Sequence, residues 1–272
     1  MTTEAPARKR LGLFAVGGLP TVLFLAFIGL PIIALVVRGA GYDGFWSGFG
    51  GSTLRQALKL SLVTSAISLA IIIAVGTPMA YLLARRRFPG HGIIDACIEL
   101  PLVLPPVVAG LGMLMAFGRT SYIGRGLDHL GVSLPFTTIA VVFAQIFIGA
   151  PFFVRAAKIG FESVDPGLED LARTLGEQPL WVFLRVTLPL ASRALIGGVV
   201  LAWARAISEF GATLMFAGNL PGRTQTMSVA VMSALESNLG SALALAVALL
   251  LIAVIVLAAL RLLANRGWSY GP

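Results

Sequence analysis

The 272 residues are 57% hydrophobic and only 12% charged, about half the ~25% charge of an average soluble domain. A formal net charge of +8 would point to nucleic acid in a soluble chain. Here the basic residues follow the segments between apolar stretches, as they do on the cytoplasmic side of membrane proteins, so no nucleic-acid partner is expected. The single cysteine, Cys97, excludes an intrachain disulfide and a cysteine metal cluster.

A helix needs about 20 apolar residues to cross the hydrocarbon core. Six stretches meet that demand, giving predicted spans at about 12–37, 60–84, 93–117, 136–154, 194–217 and 241–260. The first, Leu11 to Val37, is free of charge over 27 residues, longer than the ~7–15 of a cleavable hydrophobic region, and is read as a retained span. Arg8-Lys9-Arg10 precedes it, and Arg85-Arg86-Arg87 follows the second span. His91 and His129 fall in predicted loops at opposite faces and are read as solvated, so no metal site is expected. The third span carries Pro101, Pro105 and Pro106, then Gly110 and Gly112. Proline removes a backbone donor and kinks a helix, and the freed carbonyls must find partners inside the protein or in a water-filled cavity.

After the fourth span comes the longest connection, about 155–193, which has helix signals of its own. Asp165-Pro166 reads as an N-cap followed by proline at the first helical position. Glu169 and Asp170 sit in the early turns, where the helix dipole favours anions, and Gly176 is placed to end the helix in a left-handed conformation. A second amphipathic run, Leu180 to Leu188, leads to Pro189. The pair suggests a docking surface. The fifth span is apolar apart from Arg205 and Glu209, followed by Gly211, Thr213 and Gly218. These two charges are one turn apart and can pair, either locking helices together or bordering a translocation path. With both termini cytoplasmic, 13 of the 20 basic residues lie on one side, including Arg155, Lys158, Arg173, Arg185 and Arg193 of the long connection and Arg261 and Arg266 after the sixth span.

The run from Leu168 to Leu190, LEDLARTLGEQPLWVFLRVTLPL, resembles the signature loop of bacterial ABC-importer permeases: Glu-Ala-Ala, three residues, Gly, nine residues, Ile-x-Leu-Pro. Asp170-Leu171-Ala172 stands for the triplet, Gly176 for the glycine, and Val186-Thr187-Leu188-Pro189 for the terminal motif; Leu171 in place of Ala departs from the pattern. The stretch from Ala204 to Asn219, followed by Pro221-Gly222-Arg223-Thr224-Gln225-Thr226, is similar to the fifth-span signature of molybdate-type permeases, with Ser208 where Gly is usual. The run LPLVLPPVVAG in span three is similar to the same subfamily.

The resemblance implies an all-α integral membrane protein with six transmembrane helices, like type I ABC-importer permeases, in the bacterial cell membrane. It implies that the stretch Asp165 to Gly176 inserts into a groove on a separate ATPase, with Ala172 small at the contact, and that an extracytoplasmic oxyanion-binding protein delivers substrate. Lys9, Lys59 and Lys158 are the chain's only lysines and none follows glycine, so no phosphate-binding Gly-Lys-Ser/Thr loop exists. ATP and its magnesium belong to the partner, and the chain is not expected to be an enzyme. Two ATPase copies and a second copy of this chain complete the expected pore. The cargo read from the resemblance is molybdate or tungstate, with sulfate or thiosulfate as the alternative. Pro101, Pro105, Pro106, Arg205, Ser208, Glu209, Gly211, Thr213 and Asn219 are the candidate path residues. Ser208, Thr213 and Asn219 could offer donors to an anion, or serve ordinary helix packing. A membrane-embedded hydrolase would need a nucleophile and base within a span, which the histidine positions do not supply. An autonomous channel leaves the docking loop unexplained.

Overall fold

A chain that must satisfy every backbone N–H and C=O inside hydrocarbon is driven to helices, and the computed structural model, which describes residues 7–266, contains no strand among them. Arg8, Lys9, Arg10, Arg261 and Arg266 lie outside the residues whose side chains are described. In chain order the helices are α1 (Ala7–Gly39), α2 (Phe45–Gly50), α3 (Ser52–Arg85), α4 (His91–Val103), α5 (Pro106–Phe117), α6 (Tyr122–His129) and α7 (Thr138–Glu162). They continue with α8 (Pro166–Thr174), α9 (Pro179–Val182), a π segment (Phe183–Thr187), α10 (Leu188–Ile207), α11 (Gly211–Ala217), α12 (Met227–Leu235) and α13 (Leu239–Arg266). Five stretches are long and apolar enough to cross a membrane: Gly18–Gly39, Ser52–Arg85, Thr138–Glu162, Pro179–Ile207 and Leu239–Ala259.

The centre is α3, α7 and α10, packed around Ile72, Phe153, Phe161 and Leu195. Small residues bring the backbones together: a Cβ on Gly160 would lie 2.5 Å from Ala194 Cβ, and one on Gly198 2.9 Å from Ala156 Cβ. At 34 residues, α3 is a rod of about 50 Å. At its first turns, Ser61 Oγ accepts a hydrogen bond from Met227 N at 2.8 Å. At its last turn Arg85 meets Glu169 of α8 at 2.7 Å. The 218–226 segment and α8 therefore lie at opposite ends of the same rod.

Several expectations change. The third span is two half-helices, α4 and α5, bent by 118°. The cause is the Pro105-Pro106 pair: each proline disfavours the α region for the residue before it, and Leu104 (ψ 130°) and Pro105 (ψ 132°) are extended. The fifth span ends at Ile207 and resumes as α11 at Gly211. Its start lies earlier than expected, because Leu180 to Leu188 runs straight into α10 through the π segment. Leu188 N donates to Phe183 O, five residues back, a register that relieves the clash of Pro189 with the carbonyl of Arg185. Arg155 and Lys158 fall inside α7 and pair with Glu99 (3.7 Å) and Asp95 (2.6 Å) of α4. His91 is buried rather than solvated, with Nε2 2.9 Å from Leu83 O, because the short 86–90 turn folds it back onto α3. His129 is exposed at the end of α6.

Candidate functional site

The two discontinuities lie against each other. A Cβ on Gly211 would sit 3.1 Å from Pro106 Cβ and 3.0 Å from Val107 Cγ2, and one on Gly110 would sit 2.7 Å from both Cα and O of Ala212. Only hydrogen at these positions lets α5 and α11 run backbone to backbone. Pro101 lies within α4, Pro105 is the N-cap of α5 and Pro106 its first residue.

Arg205 and Glu209 straddle the second break. Arg205 is in the last turn of α10, where a cation suits the dipole, and Glu209 precedes α11, where an anion does. Arg205 Nη2 meets Glu209 Oε2 at 2.9 Å, with side-chain exposures of 28% and 0%. Oε1 accepts from Ala212 N at 2.8 Å, so the carboxylate also caps α11. The pair neutralises itself while Glu209 also satisfies one N–H at the start of α11 that would otherwise be bare.

The three polar side chains expected beside this pair are arranged differently from one another. Ser208 is exposed, and its hydroxyl is directed at Ala204 O (2.8 Å) and Arg205 O (3.2 Å) of its own helix. Thr213 is fully buried in α11. Asn219 lies past the end of α11, donating to Ser233 Oγ at 2.6 Å and accepting from Gln225 Nε2 at 2.8 Å. Gln225 falls in the run that bears the family resemblance but was given no role of its own, and Ser233 was not singled out, because a hydroxyl in an apolar helix carries no distinctive pattern.

At the other end, Asp165 caps α8 by accepting from Gly167 N at 2.9 Å. Gly176 adopts φ +92°. Gly176 N reaches Arg173 O at 3.0 Å and Glu177 N reaches Ala172 O at 3.2 Å, the paired bonds of a Schellman stop. Asp170 is exposed and pairs with Arg173 at 2.8 Å, Ala172 is half-buried, and Pro189 is exposed at the root of α10. Glu169 points inward. It is the only residue of α8 that is buried, and it receives Arg85 Nη2 (2.7 Å) and Nε (3.0 Å), Thr187 Oγ1 (2.8 Å), Tyr81 Oη (3.2 Å) and Arg173 Nη2 (3.3 Å). Meanwhile Leu168, Leu171 and Leu175 are 44%, 59% and 78% exposed. At ~100° per residue they share a stripe, with Leu171 about opposite Glu169. The helix turns its acid inward and its leucines outward.

In this arrangement no cluster of three metal-ligating side chains occurs among the described residues, and the buried acids Glu169 and Glu209 are each paired with an arginine. What it offers is two breaks between helices, at Leu104-Pro105 and at residues 208–210, packed against each other and, at the far end of α3, an outward apolar stripe. Comparison with known proteins agrees with that reading. Residues 72–268 match the family model described as the binding-protein-dependent transport system inner membrane component. A molybdenum transport system permease protein of Mycobacterium tuberculosis is 39% identical over 238 residues, covering 88% of this chain and 90% of its own. One from Escherichia coli is 41% identical over 183 residues, covering 67% and 80%. Among solved structures, a bacterial ABC transporter involved in import of the acidic polysaccharide alginate superposes with a TM-score of 0.76 at 18% identity, covering 95% of this chain and 96% of that one. This chain belongs to the family of inner membrane components of binding-protein-dependent transport systems, and it has their fold.

Proposed function

We propose that the chain is the membrane-spanning permease subunit of an ATP-driven importer whose cargo is molybdate or tungstate. The observation that carries the cargo is the 39% identity, over 88% of the chain, to a permease named for molybdenum transport, together with the run from Ala204 to Thr226. A separate ATPase docks on the outward stripe of α8. Leu168 and Leu171 of α8 and Leu175 at its C-cap are all exposed on one stripe, and exposed apolar side chains gathered on one face mark a protein contact. An extracytoplasmic binding protein delivers the oxyanion at the end bearing the 218–226 segment. That assignment puts α8 and both termini in the cytoplasm of a bacterial cell, with the chain in its inner membrane.

The path runs along the joined breaks, where Pro101, Pro105, Pro106, Gly211 and Thr213 line or support it. Discontinuous helices whose ends meet inside the bilayer are where transporters hold their cargo. Arg205 and Glu209 cancel, so the wall presents weak dipoles, which suits an ion that must be released. Two copies of the chain and two of the ATPase form the working unit. In support, no residue of α1 from Gly18 to Arg38 is buried within one chain, and an apolar groove of about 760 Å³ opens beside Val108, Met113, Phe143 and Phe147. The test is uptake of labelled molybdate by a strain deleted for this gene and complemented with it. Competition by tungstate but not by excess sulfate is expected, and strong inhibition by sulfate would move the cargo to sulfate or thiosulfate.

A further inference from the structure

Eight of the nine residues of α8 are not buried, and its leucine stripe faces away from the rest of the chain. A push on α8 can therefore reach the membrane helices through its flanking backbone and through Glu169, its one buried residue. The first route is slack on one side, because the chain leaves α8 through the left-handed turn at Gly176 and the exposed residues 177–181. The second is stiff. Arg85, from the last turn of α3, places both Nε and Nη2 on one carboxylate oxygen, and Nη2 also donates to Val164 O at 2.9 Å. Thr187, fully buried, donates to the same oxygen from the π segment at 2.8 Å. Tyr81 donates to the other oxygen and stacks against Phe161 of α7 (5.5 Å) and Phe183 of the π segment (4.9 Å). Charge-assisted bonds of this kind are short and directional, and Glu169 is 3% exposed, so water does not soften them.

We propose that Glu169 is the positioning residue that carries displacement of α8 into two membrane-crossing helices at once: α3 through Arg85 and Tyr81, and α10 through Thr187 at its π-helical root. The proposal rests on α8 being the ATPase-docking helix. It assigns Glu169 a task apart from docking, since its side chain faces away from the leucine stripe. The π segment is the compliant element of the linkage. Its wider register holds about one residue more per turn than the flanking helix, so a small distortion of this turn, held in place by Pro189, changes the rotation of α10 relative to α8.

The experiment uses the complete transporter, permease with its ATPase, reconstituted in proteoliposomes and driven by molybdate-loaded binding protein. Four quantities are read: ATPase co-purification, melting temperature, ATP hydrolysis stimulated by binding protein, and molybdate taken up per ATP hydrolysed. Glu169→Ala should co-purify with the ATPase at the parental ratio yet lose about tenfold in uptake per ATP, the scale of a coupling network losing its central member. Glu169→Gln, which keeps an acceptor for Thr187, should recover to within about threefold of the parent. Thr187→Val, close in shape, should lower uptake per ATP by about two- to fivefold with a modest fall in melting temperature from the lost hydrogen bond, and assembled protein should remain at the parental level. The exchange Arg85→Glu with Glu169→Arg should restore part of what either single change loses. Parental uptake per ATP in both Glu169→Ala and Thr187→Val would overturn the proposal. So would uptake losses that only track the amount of assembled protein, since Glu169 would then be a folding contact. If the parent itself fails to co-purify with an ATPase, the docking reading fails instead, and the two failures are distinct.

Discussion

Removing Arg205 leaves Glu209 with a side-chain exposure of 0% and no other ion-pair partner among the described residues. Breaking a buried pair from one side costs about 3–5 kcal/mol. Water reaches Arg205, whose side chain is 28% exposed, so the lower end applies, about 3 kcal/mol. Removing Glu209 is gentler on the charge that remains, because Arg205 can turn its long stem toward water at a cost of about 1 kcal/mol. It also strips the cap from Ala212 N, about 1 kcal/mol more. The double alanine variant keeps only the lost cap, about 1 kcal/mol. For a chain of this size, 1 kcal/mol lowers the melting temperature by roughly 2–4 °C. The expected drops are then about 6–12 °C for Arg205→Ala, about 4–8 °C for Glu209→Ala and about 2–4 °C for the double variant. Melting of the purified permease–ATPase complex in detergent measures them, with molybdate uptake alongside. A double variant no more stable than Arg205→Ala would refute the pairing argument. A double variant that melts normally but does not transport would place one of the two charges on the path itself.

Other consequences are simpler to read. Gly110→Ala should cost about 1–3 kcal/mol by overpacking, because its Cβ would lie 2.7 Å from Ala212 backbone atoms, whereas Gly112→Ala, with nothing within 4 Å, should melt like the parent. Gly176→Ala should cost about 1–2 kcal/mol through its left-handed φ alone, since open space surrounds it, and Gly176→Asn should recover much of that loss in the same melting assay. Leu171→Glu and Leu175→Glu should leave membrane levels unchanged, both positions being exposed, while abolishing ATPase co-purification; a normal complex in either would remove the leucine stripe from the docking face.

Composition alone made the fold class legible, since uncharged runs such as Leu60 to Ala84 admit no other solvent than lipid. Local chemistry made α8 legible at both ends: an Asp-Pro start and a Gly stop act within one turn, and both formed as read. The break at Pro105-Pro106 was half legible, as a kink, because proline reports where a helix weakens but its neighbours decide the angle. The break at residues 208–210 left no such mark. It arises where Glu209 caps α11 and where Gly211 meets Pro106, contacts that join residues far apart in sequence. Glu169 shows the same limit. Arg85-Arg86-Arg87 reads only as a mark of sidedness, Tyr81 as an ordinary residue of an apolar helix, and Thr187 as the variable position of the terminal motif Val186-Thr187-Leu188-Pro189. A faint signal did exist: an acid opposite a leucine stripe, in a helix whose polar face would otherwise be expected to meet water.

The two polar clusters are connected by a single element. From Leu188 to Ile207, α10 is 20 residues, a rod of about 30 Å, with the π segment at one end and the Arg205–Glu209 break at the other. Both ends are joints rather than continuations of the helix. Between them the rod packs tightly on α7 at Ala194 and Gly198, where a Cβ added to Gly160 would lie 2.5 Å from Ala194 Cβ and one added to Gly198 2.9 Å from Ala156 Cβ. A packed core transmits movement because it deforms little, so a rod held at mid-length and jointed at both ends carries a displacement of Thr187 to Arg205. A solvated charge at either joint would bind water and slacken it. At the far joint the buried Glu209 is paired with Arg205, which keeps that burial tolerable in a membrane, while at the near joint the buried Glu169 anchors Thr187 and leaves the π segment to give. This is why Glu169, Arg205 and Glu209 stand where the chain bends.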